Sequence, residues 1–170
     1  MLVNQAVCRI QPEPTLLRDP SNRRIALDWN IQKSIERQFA QARKAWVRYQ
    51  STRQRDAVFG YLSAVFQVVQ RWAMLGHTRT CSRHALTATK HRCAIRTRDP
   101  FAIVIFCTSD PQVVDARTRS KWARALRFAA RCKPHAQELG AFIQSRGGVN
   151  ECAARSESQI ANRKAHFLAS

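Results

Sequence analysis

Residues 54–75 read QRDAVFGYLSAVFQVVQRWAML. Within them Val58, Leu62, Val65, Val69 and Trp72 are spaced by 4, 3, 4 and 3, the repeat that lines apolar side chains along one side of an α-helix. Phe59, Tyr61, Phe66, Val68 and Ala73 widen that stripe beyond a single seam, so the helix is expected at the centre of a fold with neighbours on two sides. Gly76 supplies its stop, because glycine takes the left-handed conformation that ends helices.

Working outward, Ile31, Ile35, Ala42, Trp46 and Tyr49 recur at helical spacing, with Lys33, Arg37, Arg43, Lys44 and Arg48 mostly off that stripe. This predicts a helix from Asp28 to about Ser51, joined to the central one by the short polar link Ser51 to Arg53 as an antiparallel hairpin. Ahead of it, Pro12, Pro14 and Pro20 fall in a stretch without period, which reads as an irregular lead segment over residues 1–24. Residues 25–165 then form a single helical domain.

The later chain follows the same grammar. His77 to Arg98 has weak helical periodicity. Residues 101–107, FAIVIFC, have strand-like composition, but Asp99-Pro100 resembles an N-cap followed by proline at the first helical position. A lone strand would leave its backbone groups unpaired, so a short buried helix is the reading. Asp110-Pro111 repeats the start signal and opens a helix running to about Cys132. Leu139, Phe142 and Ile143 mark another that stops at Gly147-Gly148, and Asn150 is positioned to cap a last helix through Ile160. The expected fold is all-α, a compact bundle of about five to six helices.

Composition sets the function classes. The 170 residues are 45% hydrophobic, enough for one core without disulfide or metal staples. The apolar stretches are far shorter than the roughly 20 residues of a membrane span, and no contact with a membrane is expected. The opening MLVNQAVCRIQPEP lacks the pattern of a secretory signal. Six irregularly spaced cysteines read as reduced thiols, which points to the cytoplasm.

Charge is the strongest compositional signal. Lys and Arg number 29 against 11 acids, a net charge of +18, and residues 57–98 carry seven basic groups and no acid. Only six of the basic residues are Lys; 23 are Arg, whose planar guanidinium suits phosphate and base contacts. At 100° per residue, Arg117, Lys121, Arg124 and Arg131 gather within roughly 80° on one helix face, with Phe128 among them, while Trp122, Ala125, Leu126 and Ala129 share another. Arg79, Arg83, Lys90 and Arg92 form a second basic group. Both are candidates for nucleic-acid phosphates. A charged helix face is also an ordinary solvated surface.

Other motifs carry weaker signals. The helices flanking Gly147-Gly148 could form a helix-turn-helix, but the second would begin with Glu151 and offers only Arg155 early. Cys81, His84, His91 and Cys93 are zinc-type ligands, yet on one helix Cys93 points away from the other three, and the spacing matches no familiar zinc pattern. Cys132 and His135 are too weak a pair to argue a nucleophile and base. No phosphate-cradling glycine loop, nucleophile elbow or divided carboxylate pair is present, so neither catalysis nor a cofactor is expected. Trp29, Trp46, Trp72 and Trp122 read as core anchors.

The expectation is therefore a basic helical protein that contacts DNA or RNA through phosphates. The alternative is a helical adaptor that docks an acidic or apolar protein partner through the central helix or through FAIVIFC. The divergence of Cys81, His84, His91 and Cys93 carries its own test. Elemental analysis after dialysis should find no stoichiometric zinc, and a chelator should leave the far-ultraviolet circular dichroism unchanged.

Overall fold

The computed structural model describes residues 20–52, 56–88 and 98–168, with side chains placed between residues 32 and 158 of these. Seven helices and no strand are found among the described residues: α1 Pro20–Thr52, α2 Ala57–Met74, α3 Thr78–Ala88, α4 Pro100–Thr108, α5 Ala116–Cys132, α6 Leu139–Ser145 and α7 Val149–Leu168. The all-α reading holds, with more helices than expected.

α1 and α2 form the antiparallel hairpin. The ring of Trp46 lies 5.1 Å from Tyr61 near one end, and Phe39 lies 6.2 Å from Trp72 near the other. At that second end Trp72 donates its indole N–H to Gln38 Oε1 at 2.8 Å, so both buried polar groups are satisfied. α2 buries Leu62, Val65, Val69 and Trp72 together with Tyr61, Phe66 and Val68, which confirms apolar contacts on more than one side. It ends where glycine permits. Gly76 has φ +70°, His77 N donates to Trp72 O and Gly76 N to Ala73 O, each at 3.0 Å, which together make a Schellman motif.

The ambiguous FAIVIFC segment is helix α4. Asp99 caps it, its side chain accepting from Phe101 N at 3.1 Å, with Pro100 in the first turn. Phe101, Ile103, Val104, Ile105 and Cys107 are all buried. Apolar residues on every side make a core helix, which explains why its sequence shows no polar face.

Four boundaries differ from expectation. α1 begins at Pro20 rather than Asp28, so the helix takes in the end of the expected lead segment; residues 1–19 lie outside the described residues. α5 starts at Ala116, not at Asp110-Pro111. Asp110 instead builds a turn, its carboxylate accepting from Gln112 N at 2.8 Å and its carbonyl from Val113 N and Val114 N, while Val114 is buried. Asp115 is the true cap, accepting from Thr118 N at 2.7 Å and from the Thr118 hydroxyl at 2.9 Å. These bonds hold the Asp115 carboxyl below its usual range. Finally, α7 starts at Val149, which places Asn150 inside the first turn rather than at the cap, and it runs past Ile160 to Leu168.

The core is centred on four rings. Trp46 and Tyr49 of α1, Tyr61 of α2 and Trp122 of α5 meet with centroids between 5.1 and 6.3 Å, mostly edge to face. Tyr61 is fully buried, and its hydroxyl shares a 2.9 Å hydrogen bond with Thr108 at the end of α4. Around this centre α7 packs along α5, and α3 packs against α4. None of the described helices is long and apolar enough to cross a membrane.

Tyr61→Phe should cost only about 1 kcal/mol, since Thr108 retains its 2.7 Å bond to Val104 O. Tyr61→Ala should cost about 3–5 kcal/mol, because the whole ring is lost from a closed core. Urea unfolding of the two variants checks the difference.

Candidate nucleic-acid interface

Charge alone favoured the face of α5 built by Arg117, Lys121, Arg124 and Arg131. The structure separates these residues. Arg117 and Arg131 are exposed and Lys121 is half-buried. Arg124 pairs with Glu157 of α7, and only 22% of its side chain meets solvent. Phe128, in the middle of the face, is buried with its ring 5.9 Å from Phe142 of α6. Cys152, Ala153 and Ser156 of α7 are buried as well, so α6 and α7 take up much of the surface that the helical projection left to solvent. Arg131 lies within electrostatic reach of Asp99. The spacing of Arg117, Lys121, Arg124, Phe128 and Arg131 is also that of a packing seam, and Phe128 was the residue that signalled it.

The second basic group is more open. Arg79 and Arg83 are exposed on α3, while Lys90 and Arg92 lie outside the described residues. The two arginines line a groove of about 700 Å³ with Thr78, Ser82, Leu86 and Thr87 of α3, Arg98 ahead of α4, and Ile103 of α4. Among the described residues no acidic side chain lines it. Arg79, Arg83 and Arg98 form no ion pair among the described residues, and the buried Ser82 hydroxyl has no hydrogen-bond partner there.

This placement is unfavourable for folding by itself. Arg79 and Arg83 stand one turn apart as like charges, and Arg79 sits in the first turn of α3, where the helix dipole disfavours cations. An anion in the groove would relieve both. Arg98 was not singled out from the sequence, since it stands beyond any helical period and reaches the groove only through the packing of α3 on α4.

Elsewhere in the chain, arginines serve the fold. Arg127 Nε is 3.2 Å from Asp99 Oδ2, behind the cap of α4. Burial pushes the Asp99 carboxyl up, and Arg127 with the amides of Phe101 and Ala102 opposes that shift. Arg119 stacks on Phe106, 5.4 Å from the ring centroid, and Arg43 donates to the Cys107 carbonyl at 3.3 Å. These partners come from distant positions in the chain, beyond the reach of local spacing.

Of the zinc-type cluster, Cys81 is buried in α3 and His84 half-buried, while His91 and Cys93 lie outside the described residues. No three His, Cys, Asp or Glu side chains come together as a metal-binding group among the described residues. Burial raises the pKa of the Cys81 and Cys152 thiols, which suppresses their nucleophilic form. His135 is exposed and Cys132 half-buried.

α7, the would-be recognition helix, packs on α5, and Arg155 is bonded to Glu151 at 3.1 Å. The apolar residues of α2 and α4 that could have docked a partner lie largely in the protein's own core. Trp46, Trp72 and Trp122 are core residues, as expected, and the side chain of Trp29 lies outside those described.

Comparisons with protein-family models, with curated proteins and with solved structures find no match to this chain.

The two α5 arginines should behave differently when truncated. Arg117→Ala is expected to change stability by less than about 0.5 kcal/mol. Arg124→Ala should cost about 1 kcal/mol, because it removes both the pair with Glu157 and the stem packed against α7. Urea denaturation of both variants under one buffer condition distinguishes a free cation from a packed one.

Proposed function

We propose that this protein binds DNA or RNA without catalysis, mainly through phosphate contacts, and that the groove along α3 is the principal contact. The observation that carries the reading is the set Arg79, Arg83 and Arg98, which line one recess and form no ion pair among the described residues. Guanidinium groups bind phosphate oxygens through two parallel N–H bonds, and each phosphate neutralised releases condensed counterions. Arg117, in the first turn of α5, adds an exposed cation elsewhere on the surface. The net charge of +18 raises the local concentration of any polyanion and speeds encounter.

Phosphate contacts position a nucleic acid without reading its sequence, so binding should be nearly independent of base order. Fluorescence anisotropy across a salt series tests the assignment. Replacing Arg79, Arg83 and Arg98 together with Ala should reduce the slope of log affinity against log salt by roughly 0.9 per phosphate contact on duplex DNA, or roughly 0.7 on a single strand. An unchanged slope would remove the groove from the interface. Absence of binding by the parent protein at low salt would overturn the reading itself.

A further inference from the structure

We infer that the groove between α3 and α4 takes one unpaired nucleotide, its phosphate held by Arg79, Arg83 and Arg98 and its base laid against Leu86 and Ile103. The inference rests on the nucleic-acid reading and adds strandedness to it. The shape of the site carries it. A volume of about 700 Å³ lies within the range of about 300–1,000 Å³ typical of small-molecule pockets. Side chains that read a duplex project from a helix or ribbon inserted into its groove. Here α3 forms a wall of a recess, and a stacked, paired base cannot enter one.

The lining is also mixed in the way a nucleotide requires. Leu86 is half-buried and Ile103 buried, so they give the recess an apolar side, while the guanidiniums stand beside it. Single-stranded recognition commonly splays a base onto an aromatic ring or an arginine plane while cations follow the backbone. Among the described residues no aromatic side chain lines this groove, which leaves the base to van der Waals contact with the two aliphatic residues. The Thr78 hydroxyl can donate or accept, while that of Thr87 donates to the Arg83 carbonyl at 3.1 Å and is left as an acceptor.

Three probes of equal length separate base contact from phosphate contact: a 12-nucleotide single strand, the same strand with abasic sites throughout, and a hairpin duplex. At one low salt concentration the base-bearing strand should bind about ten-fold tighter than the abasic strand. Leu86→Ala should remove most of that difference while leaving the abasic and duplex affinities unchanged, with circular dichroism confirming that the variant is folded. As a second measurement on the parent protein, a 4-thiouridine strand should photo-crosslink to peptides spanning residues 78–87 or 98–103. Equal affinity for base-bearing and abasic strands, or crosslinks confined to other peptides, would overturn the inference and leave the phosphate reading standing. Failure of all three probes to bind would overturn both.

Discussion

Tyr61 sets the constraint on which the arrangement depends. A phenol with no exposed surface must find a hydrogen-bond partner or carry the cost of an unpaired polar group, and here it meets Thr108 at the end of α4. Burial pushes its pKa far above the ordinary tyrosine value, so the group stays protonated. The same ring is in edge contact with Trp46 of α1 and Trp122 of α5. One side chain of α2 therefore touches α1, α4 and α5. Its polar atom gives direction to a contact that hydrophobic burial alone would leave free to slide. With α4 held in place, Cys107 lies against the Ala85 carbonyl of α3 and Ile103 faces the groove, so the position of the basic recess follows from the packing of the core.

Much of the fold was legible because apolar spacing is a local property. The run from Val58 to Trp72 located α2 and anticipated its burial on more than one side, and Asp99-Pro100 correctly outweighed the strand-like composition of FAIVIFC. The start signal at Asp110-Pro111 misled. Asp110 forms a turn that buries Val114, and Asp115, which the helical pattern did not single out, caps α5. At Gly147-Gly148, φ of +93° and +90° ends α6, but the next helix begins at once at Val149 without waiting for Asn150.

The site was less legible than the fold, because whether a cation is free depends on residues far away in sequence. A helical projection groups Arg124 with Arg117, and only the third dimension brings Glu157 to one of them. Arg98 shows the converse. It belongs to no periodic segment, yet it shares a recess with residues 15 and 19 positions earlier. Sequence can count surplus charge over residues 57–98, but pairing and concavity decide which of those charges a ligand meets.

An arginine-rich composition consequently has two sources in this molecule. Arg43, Arg119, Arg124 and Arg127 each support a packed element, through a helix-end carbonyl, an aromatic face or a carboxylate. Such roles exploit a weakly hydrated, planar cation with several donors, which lysine does not offer. Arg79 and Arg83 are different in kind. They repel each other, and Arg79 also opposes the dipole of α3, so the fold gains nothing from their charge, and salt would screen their repulsion while also competing for any bound phosphate. Of the two sets, the cations that do not help the protein fold are the ones left available to a polyanion.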